Sequence, residues 1–284
     1  MKQTKPKLLI HINFWTLLHE ADPTTEDGLR KQLSLIKEAG FESYCGRPEF
    51  PKIKELIAQY GLRFGALFDA ATKEEFAPKI AASMEIDDGP INCQLANDDT
   101  PTAQAVELTI ALMEEAKKQQ ARVYLEVHRD TCTETPEKAS AIIDGYVNAT
   151  GEAPMLNFDF SHPAVVKHLT PEKYIERLLT PEVIPHFQRA QLWHMRPFNG
   201  QHCQIPITDG AGNFSPEYED CRPFIRAALK CWLEGPRPGN ELWVVPEQGC
   251  TVGYNLSCFP NIWQDAVILG NDIKQMWAEE LAKI

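Results

Sequence analysis

Short apolar runs, rich in β-branched and aromatic residues, recur along the chain and alternate with longer segments of helical periodicity. Short runs of this composition are typical of buried strands, and apolar residues spaced three or four apart are typical of amphipathic helices. The chain therefore predicts repeated strand–helix units. The predicted strands cover residues 8–14, 41–46, 63–69, 91–96, 122–128, 154–160, 191–197 and 241–247.

The segments between the predicted strands carry start and stop signals for helices. An apolar stripe predicts a helix over 26–39, and Gly40 closes this helix as a C-cap. The segment 261–284 has the pattern of a last amphipathic helix. Three pairs place a capping hydroxyl directly before a proline, a preferred start of a helix: Thr100-Pro101, Thr135-Pro136 and Ser215-Pro216.

Eight strands that alternate with helices in 284 residues predict an α/β fold, a single (β/α)8 TIM barrel domain over residues 1–284. The alternative is a doubly wound open sheet, which usually carries a glycine-rich phosphate turn after its first strand. Here the first predicted strand runs into Asn13-Phe14-Trp15, with no glycine nearby. The glycine- and proline-rich stretch 235–240 is interpreted as a loop, so the barrel is the favoured architecture.

The charge of the chain changes which partners we expect. Its net charge is −12, and its 28 Lys and Arg residues are scattered, which argues against a nucleic-acid or membrane-surface partner. No apolar run approaches the roughly 18 residues of a membrane span. The N-terminus is basic and then apolar, but His11 and Asn13 interrupt it and a cleavage site is missing. With eight cysteines and no C-x-x-C pair, we expect reduced thiols and a cytoplasmic location.

Polar residues that can coordinate a metal stand at the C-terminal ends of the last four predicted strands: Glu126, Asp159, His194 and Glu247. Strand C-termini of a barrel converge on one mouth. For each residue alone, an ordinary hydrogen bond or ion pair is the alternative, but recurrence in four strands favours one shared site. Three carboxylates and an imidazole favour one divalent ion, Mn²⁺, Mg²⁺ or Co²⁺, with Zn²⁺ as the less favoured alternative.

Residues close to these strand ends are candidates to contact a substrate. Because residues i and i+2 of a strand face the same side, His128 lies with Glu126, and Arg196 lies with His194. Each of these residues also has a structural alternative. His128 could orient Glu126, Arg196 could neutralise the acidic cluster, and Trp15 could pack at the rim of the barrel. The candidate substrate-binding residues are His162, Arg196, His128, Trp15, Asn97 and Gln201.

Four short motifs at the strand ends resemble those of the sugar phosphate isomerase/epimerase family, the xylose isomerase-like TIM barrels. This group includes ketose 3-epimerases, hydroxypyruvate isomerase and inosose dehydratase. The motifs are LEVHRD at 125–130, DFSH at 159–162, HMR at 194–196 and PE at 246–247. The resemblance follows the whole chain in segment order, and its specific part is the second half.

The resemblance implies that Glu126, Asp159, His194 and Glu247 bind one divalent metal and that Glu126 and Glu247 also act as acid and base. The implied enzyme is a metal-dependent isomerase or epimerase that abstracts a proton next to a ketose carbonyl through a metal-stabilised enediolate. The alternative is a dehydratase, a lyase that acts on a keto-sugar or keto-inositol with the same metal and glutamates. In both cases the partner is a small keto-sugar or keto-polyol.

One departure from the family limits this inference. The epimerases carry their arginine several residues beyond the histidine of the seventh strand, whereas Arg196 lies two residues beyond His194. The identity of the sugar is therefore not carried over. Family members are often dimers or tetramers, so a homo-oligomer is an open expectation.

Two further classes are less favoured by the sequence. An endonuclease IV-like phosphodiesterase needs several metals and histidines from strands two and three, but these strands end without one, at 44–46 and 68–69. A non-catalytic sugar-binding barrel would not require two glutamates within a metal-binding set.

Overall fold

The computed structural model describes residues 5–237, 239–251 and 253–284. Within them, eight parallel strands pair in chain order and close into a barrel, with the first strand beside the last. The predicted (β/α)8 barrel is therefore confirmed. The strands are β1 (Lys7–Asn13), β2 (Ser43–Gly46), β3 (Arg63–Ala70), β4 (Ile91–Leu95), β5 (Val123–Val127), β6 (Leu156–Phe158), β7 (Leu192–Met195) and β8 (Glu241–Pro246).

Helices surround this barrel and follow the strands. Short 3₁₀ helices at Phe14–Leu17, Lys73–Glu75 and Pro171–Lys173 lie between the longer elements. The α-helices of the described residues are α1 (Glu26–Glu38), α2 (Ile53–Tyr60), α3 (Phe76–Met84), α4 (Thr102–Lys118), α5 (Pro136–Thr150), α6 (Ser161–Val166), α7 (Tyr174–Leu178), α8 (Ile184–Phe187), α9 (Pro216–Leu233) and α10 (Ile262–Leu281).

The helix signals in the sequence are confirmed with one exception. Thr135 and Ser215 accept hydrogen bonds from backbone N–H groups of the first turns of α5 and α9, and Gly40 follows α1 with φ of 74°. At the third pair, Pro101 itself is the N-cap of α4, and Thr100 does not cap it. The Thr100 hydroxyl instead accepts the backbone N–H of Asn97 at 3.3 Å and donates to Asn97 Oδ1 at 2.8 Å.

The strands alternate between two environments. In β5, Leu125 and Val127 pack into the main hydrophobic core, whereas Tyr124 belongs to a smaller cluster with residues of β1, β7 and β8. Glu126 is buried like its neighbours but makes polar contacts. This period of two sends Glu126 to the same side as Tyr124, and so to the interior of the barrel.

A polar layer lies inside the barrel below its mouth. The His11 ring contacts the Ser43 hydroxyl at 2.6 Å, and burial lowers the pKa of His11 to about 3, so the ring stays neutral. A Cβ atom on Gly65 would lie 2.5 Å from His11 Nε2, which explains the glycine in a strand interior.

No helix of the described residues is long and apolar enough to cross a membrane. The eight cysteines carry free thiols in the structure.

Candidate active site

Three of the four predicted metal ligands meet at the barrel mouth. Glu126 comes from β5, His194 from β7, and Glu247 directly follows β8. Ligand atoms of all three lie within 4.8 Å of one another. His194 Nδ1 lies 2.8 Å from Glu126 Oε1 and 3.2 Å from Glu247 Oε2. Each side chain is almost completely buried, so three ionisable groups share one small volume away from water.

Several of these buried atoms have no hydrogen-bond partner among the described residues. They include His194 Nδ1, Glu247 Oε2 and Asp159 Oδ2. His194 Nδ1 is close to both carboxylates without a hydrogen-bonding angle to either. Unsatisfied buried polar atoms are rare, and neighbouring ligands of an octahedral ion with bonds of about 2.1 Å stand about 3.0 Å apart. The three residues therefore fit a divalent cation in their distances and in their unused lone pairs.

Asp159, the fourth predicted ligand, lies beside this cluster and is not among its three members. Its Oδ1 accepts the backbone N–H of Ser161 at 2.9 Å. Its Oδ2 lies 3.3 Å from His162 Nε2 and 3.6 Å from Arg196 Nη2. The aspartate therefore presents one oxygen towards the site, shared with two basic side chains, and its role as a ligand stays a prediction.

Glu126 is held by two side-chain amides of β4, a contact that we did not predict from the sequence. Its Oε2 accepts hydrogen bonds from Asn92 at 2.6 Å and from Gln94 at 3.0 Å. Asn157 donates to Asn92 Oδ1 at 2.9 Å and accepts the backbone N–H of His194 at 3.1 Å. The signal was present in the sequence, because polar residues two apart in apolar strands share an inward face.

Charge and burial oppose each other in this cluster. Burial alone would raise the pKa of Glu126, but the nearby histidines and the Asn92 amide outweigh it and lower that pKa. Burial would likewise lower the pKa of His194, yet the charges of Glu126 and Glu247 raise it to about 10. A cation at the same atoms competes with that proton, since a histidine must be neutral to coordinate a metal.

Arg196 lies over the acidic cluster and is 1% exposed. Its Nη2 is 3.0 Å from Glu247 Oε1. The guanidinium carbon lies 5.4 Å from the centre of the Trp15 ring and 4.6 Å from that of Tyr254. Cation–π contacts of this kind stabilise a buried arginine. Tyr254 belongs to the long loop after β8, where no periodic pattern marks it in the sequence.

A cavity of about 240 Å³ opens above the cluster and contains some of the predicted substrate-binding residues. Trp15, His128 and Arg196 line it, together with Glu247. His162 lies beside Asp159, with its ring centre 4.1 Å from that of His128, and is not among the lining residues. Burial lowers the pKa of His162 to about 4, so this ring is neutral at pH 7.

The structure does not bring Asn97 and Gln201 to this cavity. Asn97 is exposed and accepts the Thr100 hydroxyl, because Ala96 adopts a left-handed conformation (φ 54°) that turns the chain away after β4. Gln201 is exposed, and its side chain lies 3.1 Å from His168 Nδ1. Both positions were chosen from sequence distance to a strand end, which does not determine the path of a loop.

No known family model matches the chain, and no curated protein sequence matches it either. Solved structures do match over nearly the whole chain. A structure of L-ribulose 3-epimerase is 13% identical, covers 96% of both chains and has a TM-score of 0.64. A xylose isomerase-like TIM barrel protein from Mycobacterium smegmatis in complex with magnesium is 15% identical, with 96% of this chain and 98% of that chain covered and a TM-score of 0.56.

The fold is that of the xylose isomerase-like barrels. The fold expected from the strand-end motifs is thus confirmed. A probable 3-DHS dehydratase from Bacillus anthracis has the same type of barrel, at 11% identity, with 94% of this chain and 97% of that chain covered and a TM-score of 0.54. At such identities the likeness concerns the fold, and barrels of this kind carry more than one reaction.

Proposed function

We propose that the chain is a divalent-metal-dependent ketose epimerase or isomerase that removes a proton next to the carbonyl of its substrate. The observation that carries this proposal is the buried meeting of Glu126, His194 and Glu247 at the mouth of the barrel. The mouth formed by strand C-termini is where TIM-barrel enzymes have their active sites. The similarity to the fold of L-ribulose 3-epimerase supports a keto-sugar substrate.

We propose Glu126, Asp159, His194 and Glu247 as the residues that hold the metal. Their oxygen-rich set favours Mn²⁺, Mg²⁺ or Co²⁺. The magnesium complex of the barrel from Mycobacterium smegmatis supports an ion of this class. When bound, the ion supplies positive charge that polarises the substrate carbonyl.

Glu247 is the better candidate to remove the first proton. It lines the cavity, and its Oε2 has no hydrogen-bond partner among the described residues. Burial raises the pKa of Glu247, but Arg196 and His194 outweigh this and lower it, so the carboxylate is ionised and able to accept a proton. The negative charge that develops on the substrate is then close to Arg196.

Glu126 is the proposed partner that takes up a proton from solvent and passes it to the other side of the reacting carbon. Its Oε2 is committed to the amides of Asn92 and Gln94, so Oε1, which lies 2.8 Å from His194 Nδ1, is the oxygen that we propose for this exchange. For direct contact with the substrate we propose Trp15, His128 and Arg196, which line the cavity. His162 would act through Asp159, as a positioning residue.

The test is exchange of solvent hydrogen. The protein is loaded with Mn²⁺ or Mg²⁺ in deuterated water, and a panel of ketoses is followed by NMR. We expect deuterium at the carbon next to the carbonyl, together with the epimeric or isomeric product. Stoichiometric metal without exchange on any ketose would contradict the proposal.

A dehydratase is the second candidate, and the similarity to the fold of a probable 3-DHS dehydratase supports it. Elimination of water begins with the same proton removal and then requires protonation of a leaving hydroxyl. The same samples distinguish the two reactions, because water loss gives a new enone absorbance. The phosphodiesterase alternative gains no support, since the described residues contain one cluster of three candidate ligands, not several.

A further inference from the structure

A second and larger cavity, of about 640 Å³, lies beside the proposed active site. The ends of β2, β3 and β4 and the loop after β5 line it. Arg47, Asp69 and Gln94 line both this cavity and the smaller one above the glutamates. Gln94 also donates to Glu126 Oε2 at 3.0 Å. The two cavities therefore adjoin each other at these side chains.

The volumes of the two cavities indicate how large the substrate can be. The inner cavity has about 240 Å³, below the range of about 300–1,000 Å³ found for sites that bury drug-sized ligands, whereas the outer one lies within it. A single ketose at the glutamates would leave the outer cavity to water. There is thus room for a substituent of the size of a second sugar ring.

The charges of the outer cavity indicate what kind of substituent it accepts. Arg47 and Lys79 are its lining cations, and both are already engaged: Arg47 Nη2 lies 3.2 Å from Asp69 Oδ2, and Lys79 Nζ lies 2.6 Å from Glu75 Oε1. Glu49 and Asp130 add further negative charge. An anionic group such as a phosphate would meet this excess of carboxylates at a cost.

Neutral hydroxyl groups fit the same surface. The carboxylate of Asp69 accepts hydrogen bonds, the Arg47 guanidinium donates them, and the Gln94 amide does both. Both Arg47 and Asp69 are partly exposed, with side chains 42% and 59% accessible, so their remaining hydrogen-bonding positions face the cavity or solvent. This combination favours a polyhydroxylated, uncharged ligand.

We propose that the outer cavity is a subsite for a neutral glycosyl substituent on the reacting ketose, bound by Arg47 and Asp69. The inference rests on the proposed function for the carbonyl end of the substrate. Contacts away from the reacting carbon raise kcat/KM when their binding energy is used in the transition state. The chain should accordingly prefer a ketose disaccharide to a free ketose.

The experiment compares substrates on the metal-loaded protein. Deuterium incorporation is measured for D-fructose, for the ketose disaccharides lactulose and isomaltulose, and for D-fructose 6-phosphate. We expect kcat/KM for at least one disaccharide to exceed that for D-fructose by about tenfold or more. Calorimetric titration with the same sugars measures binding independently of turnover.

A variant with a large side chain in the outer cavity tests where the subsite lies. Ala71 lines only the outer cavity and is exposed, so Ala71→Trp should fill the space without disturbing the core. We expect it to reduce the preference for disaccharide over monosaccharide about tenfold. The matched control is Ala103→Trp, at an exposed position in the first turn of α4, which should keep the wild-type preference.

The outcomes separate this inference from the proposed function. Exchange on D-fructose equal to or faster than on both disaccharides overturns the subsite and leaves the proposed function standing. A preference for D-fructose 6-phosphate overturns the neutral class of substituent. A third result is that no ketose exchanges hydrogen, but the disaccharides still bind more tightly than D-fructose and Ala71→Trp weakens this binding. That result supports the subsite and contradicts the proposed function. If the protein shows neither exchange nor binding with any of these sugars, both the subsite and the proposed function are contradicted. If Ala71→Trp does not fold, the substrate preference of the wild-type protein alone decides.

Discussion

The two glutamates at the barrel mouth have different surroundings. Both oxygens of Glu126 have polar neighbours, namely two amides at Oε2 and His194 at Oε1. Glu247 lines the cavity and accepts no amide hydrogen bond: its Oε2 lies 3.2 Å from the same His194 Nδ1 without a hydrogen bond, and its Oε1 lies 3.0 Å from Arg196 Nη2. A carboxylate that accepts several hydrogen bonds is a weaker base. The difference assigns the first proton abstraction to Glu247 within the proposed reaction.

Glu247→Gln is expected to abolish most proton exchange while the fold is retained, because the amide has a similar shape but is not a base. Removal of a general base typically costs about 10²–10⁴-fold in rate. The measurement is deuterium incorporation by NMR, with circular dichroism for the fold. Glu241→Gln, at the opposite end of β8, is the control and should keep wild-type exchange. Wild-type turnover in the Glu247 variant would refute the assignment.

Asn92 connects Asn157 to Glu126 and offers a second test. Asn92→Ala removes the donor to Glu126 Oε2 and the acceptor for Asn157, which leaves buried groups without partners. We expect the free energy of unfolding to fall by about 1–3 kcal/mol and the exchange rate to fall at equal metal occupancy. Urea unfolding and deuterium incorporation measure the two effects.

Asn148→Ala, an exposed change on α5, is the control for Asn92 and should alter stability by less than about 0.5 kcal/mol. If Asn92→Ala exchanges protons as fast as the wild type, the amide does not position Glu126.

At the scale of elements, α9 and α10 are joined by buried carboxylates of α10, of which Asp272 accepts the most hydrogen bonds from α9. Asp272 on α10 accepts hydrogen bonds from the Tyr218 hydroxyl and from Arg222 Nε and Nη2, each at 2.7 Å. Its side chain is 4% exposed, whereas that of Arg222 is 27% exposed. These three bonds hold the two longest helices of the described residues against each other beside β8 and β1.

Asp272→Ala should therefore lower the free energy of unfolding by about 2–4 kcal/mol, since Tyr218 and Arg222 lose their shared acceptor. Chemical denaturation is the measurement. Lys230→Ala removes an exposed pair with Glu234 at 3.8 Å on α9 and should change stability by less than about 0.5 kcal/mol. Equal effects of the two changes would exclude the proposed role of Asp272.

The loop between α3 and β4 is bound to β3 through Asp87, and we expect the stability from this contact to depend on pH. Asp87 accepts hydrogen bonds from Arg63 Nε and from the backbone N–H of Phe64, each at 2.7 Å. Burial raises the pKa of Asp87, but these two partners outweigh burial and lower it below its usual value. A carboxyl group with a depressed pKa stabilises the fold above its unfolded pKa of about 4 and loses this contribution as the pH falls through the folded value.

We expect wild type to be more stable than Asp87→Asn at pH 6 and the difference to shrink as the pH falls below about 4. Thermal unfolding over this pH range checks the direction. Asp99→Asn, at an exposed position, is the control and should follow the wild-type curve. A difference that grows in acid would contradict the ion pair as its source.

At the scale of the whole molecule, the proposed metal would link the C-terminal ends of β5, β6, β7 and β8, so its binding should stabilise the entire fold. Mn²⁺ or Mg²⁺ at 100 times the dissociation constant adds about 2.7 kcal/mol to stability. We expect Tm to rise with metal and to fall again with a chelator. His194→Ala should lose this response, and the exposed change His202→Ala should keep it. An undiminished response in His194→Ala would place the metal elsewhere.

The fold and the centre of the site could be predicted from the sequence for one physical reason. Hydrophobic periodicity reports which elements are strands, and in a parallel barrel all strand C-termini lie at one mouth. Glu126, His194 and Glu247 end their strands, so their meeting follows from topology without any knowledge of loops. Asn92 and Asn157 also lie on inward faces of their strands, so the same rule could have predicted that they lie near the site.

Only the tertiary structure decided what the loops contribute. Tyr254 reaches Arg196, and Arg47 reaches the cavity, while Asn97 and Gln201 turn away from it. Strand registers follow a period of two over short distances, but loop paths depend on single backbone conformations such as that of Ala96 and on contacts between distant segments. The sequence by itself therefore determined the barrel and the candidate ligands at its strand ends. The structure decided the shape of the space in which a substrate can lie, because loops build that space.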